Sequence, residues 1–453
     1  MATHSCVISP RFKGALAHVA EGKYGRMFPD LPPLEIEEGL LRALGRAGSA
    51  MDAPLNAEDD FQSDNPRIPA GFTFLGQFIA HDITRDASLL HHARNGQLRN
   101  FRAPRLDLEA VYGGGPVSNP YFFEKDNPDL FLLEQNELGI AGDVPRNPQG
   151  LALIADSRND VHTVISQLHL AFLRFHNAVA DILRSALGVG QNLFEEARRL
   201  CTWHYQWIVL HEFLPMTVGQ PLVDQVRQEG HVIYAFEDLP FIPLEFADAA
   251  YRFGHAQIRA TYQLNESATG LTIFPDLAGA RPIPSAHVVD WSRFFVIPNR
   301  PKPQASRRIV ARLAHPLLDL PEDIVGRADR PEDCSLAYRD LQRGSDCGLP
   351  SGETVARRMS LEPLSRKEVG LQAYGWEGET PLWYYVLKEA EIRQRGERLG
   401  EVGGRIVAEV LIGLLEGDPN SYLNMQPNWR PTLSSMHPGN FTMADLLRVA
   451  ASV

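Results

Sequence analysis

From Ser157 to about Leu187, apolar residues recur every three or four positions, at Val161, Ile165, Leu168, Phe172, Phe175 and Val179. That period sets them on one face of a helix, so the stripe predicts a long helix with one buried side. Asp156 or Ser157 is the predicted N-cap, because a short side-chain oxygen there can accept an orphan backbone amide. A second long helix over about 192–216 follows from Leu193, Ala197, Leu200, Tyr205, Ile208 and Val209. Residues 72–83 read as a short apolar helix. Further helical runs stand near 244–259, 351–360, 381–394 and 401–416, the last closed by Gly417-Asp418-Pro419. Strand-like alternation is scarce and short, as in His231-Val232-Ile233-Tyr234.

The first 70 residues are punctuated differently. Phe28-Pro29-Asp30-Leu31-Pro32-Pro33 and Asp64-Asn65-Pro66 break any long helix. They predict an extended arm over 1–70 packed on a helical domain over 71–453. Gly113-Gly114-Gly115-Pro116 lies in a Pro/Gly/Asn-rich stretch at about 103–128 and has no following Lys-Ser/Thr, so it reads as a turn rather than a phosphate loop. There is no internal repeat, low-complexity tract or long linker. The expectation is a mainly α chain folded as a single large helical domain with little β structure.

Composition narrows the partners. A hydrophobic share of 44% and a charged share of 22% over 453 residues are those of a globular protein able to bury its own core. The net charge of −12 opposes the basic footprint of a nucleic-acid binder. Cys6, Cys201, Cys334 and Cys347 form no CxxC pair, which argues against a disulfide framework or zinc ribbon. The N-terminus lacks the cationic start and apolar run of a signal peptide, and no run of 18 apolar residues predicts membrane insertion. A cytoplasmic protein is expected; export by a route without a cleaved signal stays open.

The chain carries 15 histidines, and a few stand where they could do chemistry. Gln77 and His81 are four apart on one face of the 72–83 helix, while Asp82 points about 100° away. A Gln/His pair against an apolar wall suits a pocket in which an imidazole moves a proton, or else a core histidine satisfied by hydrogen bonds. Arg158 sits in the first turn of a long helix, where the macrodipole disfavours a cation. His169 and His176, seven apart on the Leu168/Phe172 side, read as core histidines. In Tyr251-Arg252-Phe253-Gly254-His255, the glycine leaves space beside the imidazole and an arginine lies three residues back. Such a pattern suits a histidine on the iron of a planar macrocycle, with the arginine answering a propionate.

Taken together, Gly76-Gln77-Phe78-Ile79-Ala80-His81-Asp82, Asp156-Ser157-Arg158 with Leu168–Asn177 beyond it, and Arg252-Phe253-Gly254-His255 resemble the animal-type haem peroxidases of the peroxidase–cyclooxygenase superfamily, particularly their bacterial members. Leu336–Gly344, continuing to Gly348-Leu349-Pro350, looks like a fourth block, and Tyr24–Pro33 and Gly403–Glu409 are similar more loosely. The resemblance implies that the helical domain encloses a haem. It implies His81 as the distal base, Arg158 as the distal arginine and Gln77 as a hydrogen-bonding partner of distal water or an anion. His255 would be the proximal iron ligand, Asp340 its hydrogen-bond partner, and Arg252 and Arg343 partners of the propionates. Asp340 has a competing reading, an ion pair with Arg339 or Arg343.

Departures from the family pattern carry their own implications. The acids that esterify haem in some members are replaced by Ala80 and Val161, and the position of a sulfonium link is His162, so non-covalent haem b is expected. Asp82 and Asp107 match two acidic ligands of the family's calcium site, whose threonine and serine fall at Ala103 and Glu109. Glu109 could supply oxygen, with a solvated acidic turn as the competing reading. The radical-forming tyrosine of the cyclooxygenase branch would stand at Arg252. The resemblance therefore implies reduction of hydrogen peroxide and oxidation of a small aromatic donor or a (pseudo)halide through a ferryl intermediate. A fatty-acid dioxygenase on the same scaffold is the alternative. A metal-dependent phosphohydrolase built on His81-Asp82 and a non-catalytic haem binder are more remote.

Overall fold

The computed structural model describes residues 7–8, 24–53, 63–85, 100, 102–135, 141–187, 192–237, 239–326 and 328–453; Cys6 and most of the N-terminal decapeptide lie outside them. In chain order the principal helices are α1 (Glu38–Gly45), α2 (Gly71–Ile83), α3 (Thr163–Leu187), α4 (Leu193–Ile208), α5 (Gln220–Glu229), α6 (Leu336–Asp346), α7 (Gly352–Arg358), α8 (Leu382–Gln394), α9 (Glu401–Gly417) and α10 (Met443–Ala450). About 49% of the described residues are helical and 8% are in strands, in a single domain. The strands are short. Tyr24–Gly25 pairs in parallel with Val7–Ile8 and with Ile242–Pro243, and Asp64–Pro69 lies antiparallel to Ala305–Arg307.

The apolar stripe is buried as its period requires, with Ile165, Leu168, Phe172, Phe175 and Val179 all in the core. It packs α3 against α2, α4 and α10. Phe78 of α2 stacks on Phe172 at 4.4 Å between ring centroids, and Phe74 meets His162 edge-on at 5.3 Å. The start of this helix differs from the expectation. Ser157–Asp160 forms a separate 3-10 turn, capped by the Asp156 carboxylate accepting the Arg158 N–H at 3.0 Å, and α3 begins at Thr163.

Three other expectations are revised. The helix expected over 192–216 widens into a π turn at Val209–Phe213, because Pro215 has no N–H and its ring would crowd the carbonyl one turn back. The run expected over 244–259 splits into Leu244–Ala247 and a 3-10 segment, Ala250–Gln257, with Ala249 outside helical geometry at φ −141°. His231–Tyr234 is no strand, since the amides of Ile233 and Tyr234 donate to Glu409 Oε2 at 2.7 and 2.8 Å.

The 3-10 segment repeats every three residues rather than 3.6, so Arg252 and His255 eclipse one another on one edge. Helices α8 and α9 and the α2 helix pack around it, and the Trp383 indole donates to the Arg252 carbonyl at 3.3 Å.

Candidate active site

On α2, Phe74, Phe78, Ile79, Asp82 and Ile83 are buried, whereas Gln77, Ala80, His81 and Thr84 form a partly accessible stripe. The His81 ring is oriented by its Nδ1, 2.8 Å from Asn159 Oδ1. Burial, with the Arg158 charge nearby, pushes its pKa down to about 4, so the imidazole is neutral at pH 7. Gln77 is oriented by a different histidine. The Ile165 N–H donates to His162 Nδ1 at 3.2 Å, so the His162 proton sits on Nε2 and is donated to Gln77 Oε1 at 2.9 Å. With its oxygen engaged there, Gln77 offers an N–H donor group.

The arginine that its own helix disfavours is stabilised by another. Arg158 Nη2 donates to the carbonyl of His81 at 2.9 Å and to that of Thr84, at the negative end of α2. Asp156 completes the arrangement, accepting from Arg158 Nε at 3.0 Å and Nη2 at 2.7 Å. Its second cation is Arg102, 2.8 Å from Asp156 and almost wholly buried. These two guanidiniums hold the Asp156 carboxyl well below the usual range despite its burial.

On the other side, Asp340 of α6 accepts from both eclipsed residues. His255 Nδ1–H donates to Oδ2 at 2.5 Å and Arg252 Nη1 to Oδ1 at 2.6 Å. The arginine on Asp340 is thus Arg252, neither Arg339 nor Arg343, because only Arg252 shares an edge with His255. Arg339 instead donates to the carbonyls of Asp333 and Val325. Arg252 Nη2 and Arg343 Nε also both reach Asp248 Oδ1, at 2.7 and 3.1 Å. Both arginines expected to meet propionates are therefore already ion-paired within the protein.

The arrangement fits a haem. The His255 side chain is 33% exposed between buried Tyr251, Phe253 and Ala256, and its Nε2 has no partner among the described residues. A Cβ on Gly254 would meet nothing within 4 Å. An imidazole oriented through Nδ1, with Nε2 unengaged and open space alongside, is what an iron ligand requires.

The calcium expectation fares differently. Asp82 is buried and accepts backbone N–H groups from Leu108 at 3.0 Å and Ala110 at 3.2 Å. Burial, with Asp107 close by, raises its pKa well above normal, and burial pushes Asp107 up to about 6. Glu109 does not join them; it accepts from Arg102 Nη1 at 2.7 Å. Calcium takes about six to eight oxygen ligands, and among the described residues no three His, Cys, Asp or Glu side chains are placed to hold a metal. Asp82 and Asp107 are therefore the carboxylates left to the calcium expectation, without Glu109, and the His81-Asp82 phosphohydrolase gains no further His, Cys, Asp or Glu ligands among the described residues.

Sequence reasoning missed Asn159, Arg102, Asp248 and the pairing of Asp156 with Arg158. Asp248 had a readable signal, four residues before Arg252 at ion-pair spacing. Arg102 and Asn159 had none, because Asp156 and His81, the partners that tie them to the site, lie 54 and 78 residues away.

Comparisons with known proteins bear on family and fold. The family model of the animal haem peroxidases matches residues 91–369, more than half of the chain. Chorion peroxidase of Drosophila melanogaster is 25% identical over 347 residues, covering 72% of this chain and 39% of that protein. Human thyroid peroxidase is 28% identical over 291 residues, covering 58% and 30%. Peroxidasin of Drosophila melanogaster is 23% identical over 323 residues, covering 65% and 20%. The chain thus spans between about a fifth and two fifths of the length of these relatives. Among solved structures, peroxidase A of Dictyostelium discoideum superposes with a TM-score of 0.66 at 15% identity, covering 94% of this chain and 92% of that one. Fatty acid alpha-dioxygenase of Oryza sativa gives 0.61 at 15%, covering 92% and 81%. The fold is that of a mainly α single domain of the kind these peroxidase structures share. The chain belongs to the animal haem peroxidase family.

Proposed function

We propose that the protein is a haem peroxidase that reduces hydrogen peroxide and oxidises a small aromatic donor or a (pseudo)halide. The observation that carries this is a neutral His81 beside Arg158 on the helix that packs against the turn bearing His255, whose Nδ1–H is bound by a carboxylate. A carrier of haem needs no such base and cation. Bound haem supplies the redox-active iron at which the O–O bond is broken. His255 Nε2 would hold that iron, and Asp340, accepting from Nδ1–H, would make the imidazole a stronger donor. His81 Nε2 takes a proton from peroxide and returns it to the departing oxygen as water. Arg158 stabilises the charge that develops on that oxygen, and the Gln77 N–H donates to distal water or an anion. Arg252 and Arg343 share any propionate with Asp248 and Asp340.

Non-covalent haem b is supported by Ala80 and Val161, which have no carboxyl to esterify, and by His162, which is engaged with Gln77 and Ile165. The dioxygenase reading gains no support here. Arg252 stands three residues before His255, and Tyr251 is stacked on Phe246 at 4.6 Å. Residues 1–70 are proposed as an arm laid on the domain, which is supported by the amides of Met27 and Phe28 donating to buried Glu245. No helix among the described residues is long and apolar enough to cross a membrane. A reducing, cytoplasmic setting is proposed because Cys201, Cys334 and Cys347 are free thiols.

The test is a visible spectrum of protein purified with haem supplied, before and after one equivalent of peroxide. A Soret band that shifts on addition and returns with a phenolic donor or iodide is expected. Absence of the band overturns the proposal, and oxygenated products from linoleate under oxygen would transfer it to the dioxygenase.

A further inference from the structure

Asn159 joins two histidines that the sequence places far apart in role. Its Oδ1 lies 2.8 Å from His81 Nδ1 and its Nδ2 lies 3.0 Å from His169 Nδ1. Asn159 and His169 are fully buried, and His169 Nε2 has no hydrogen-bond partner among the described residues. A carboxamide oxygen only accepts and its nitrogen only donates, so the amide imposes opposite proton positions on its two neighbours. With Oδ1 toward His81, the His81 proton must be on Nδ1, leaving Nε2 as a lone pair. With Nδ2 toward His169, Nδ1 there must be the lone pair, which puts that proton on the unmet Nε2. An unmet buried N–H costs about 1–3 kcal/mol, so packing elsewhere sustains this state. Flipping the amide would reverse both tautomers and leave His81 with no lone pair at Nε2.

We propose that Asn159 is a positioning residue that selects the Nδ1–H tautomer of His81, with His169 held in the complementary Nε2–H tautomer. The inference rests on the reading of His81 as the proton acceptor. No proton passes through the amide. His81 gains its proton at Nε2 and keeps the Nδ1–H bond to Asn159 throughout. The same 3-10 turn that carries the cation Arg158 therefore also sets the protonation pattern of the base, one residue further on.

The experiment records two-bond 1H–15N correlations of histidine-labelled protein loaded with haem b, in its diamagnetic ferrous–carbon monoxide form and again without haem. Signals are assigned with His81→Gln and His169→Gln. His81 should be Nδ1–H and His169 Nε2–H. In Asn159→Asp, a carboxylate accepts from both rings, so His81 stays Nδ1–H while His169 switches to Nδ1–H. A merely structural role would not produce that switch. In Asn159→Leu, His81 moves toward Nε2–H, and its reaction with peroxide slows at least about tenfold, as the fraction of competent base falls. If that variant does not fold, Asn159→Asp carries the test. An Nε2–H His81 in the unsubstituted protein, or an unswitched His169 in Asn159→Asp, overturns the proposal. Failure of the underlying reading is a separate result: His81→Ala would react with peroxide at an unchanged rate while the tautomers stayed as described.

Discussion

Replacing Asp156 tests the buried charge arrangement that holds Arg158. The carboxylate is 1% exposed and has three partners: the 2%-exposed Arg102, the Arg158 guanidinium and the Arg158 backbone N–H. Removing one member of a buried ion pair costs about 3–5 kcal/mol, because the charge left behind is uncompensated. Losing an N-cap adds about 1 kcal/mol. Glu109 still faces Arg102 after the change, which keeps the loss near the lower end, so Asp156→Ala should destabilise by about 4 kcal/mol. Asp156→Asn keeps an acceptor for the cap and should recover about 1 kcal/mol of that. Urea denaturation of both variants beside the parent gives these differences from the midpoints, provided the slopes agree. Asp156 has its folded pKa depressed below 3.8, so its stabilisation is present above that value and is lost as pH falls through the folded pKa. The gap between parent and Asp156→Asn should therefore stay constant down to about pH 5 and close below about pH 4. A loss under about 1 kcal/mol for the alanine variant, or a gap that closes near neutrality, would refute the reasoning.

The His81 pKa of about 4 predicts a peroxide reaction that is flat through neutrality and falls tenfold per unit below about pH 4, as the base becomes protonated. His81→Ala should slow it by about 10²–10⁴ and abolish that step, whereas a step between about pH 6 and 7 in the parent would contradict the assignment. Two glycines should behave oppositely. A Cβ on Gly279 would lie 1.7 Å from the Asp160 carbonyl oxygen, so Gly279→Ala should cost at least about 1–3 kcal/mol in thermal or urea unfolding. Gly254→Leu enters open space and should leave unfolding of the haem-free protein within about 0.5 kcal/mol while lowering haem per chain; full haem loading would misplace the cofactor. Asp340→Asn removes the carboxylate from His255 and should raise the iron reduction potential in spectroelectrochemistry; an unchanged or lower value counts against the proximal pairing.

Local pattern was enough for α3, where apolar residues at helical spacing decide which face is buried, and for α2, α8 and α9, which are apolar runs of helical length buried on most sides. It failed where a chemical detail overrode the pattern, as at Pro215 and at the break by Ala249. The amphipathic helices α1, α5 and α10 went unread. Motif spacing brought His81, Arg158, His255 and Asp340 into view, since each sits in a recognisable stretch of residues. It did not show what each one touches.

The sequence by itself determined a mainly α chain, a glutamine–histidine pair and an arginine set in helical segments, and a second histidine with space beside it. Tertiary structure alone decided the hydrogen-bond orientation of these groups: Asn159 on His81, His162 on Gln77, Asp156 and Arg102 around Arg158, and Arg252 with His255 on one carboxylate. The physical reason is one of range. A helix relates residues three or four apart, whereas these contacts join positions 54 to 88 apart, apart from the local Asp156–Arg158 pair. Such partners are fixed only when separate helices bury their apolar faces against one another and every polar group trapped between them must find a match.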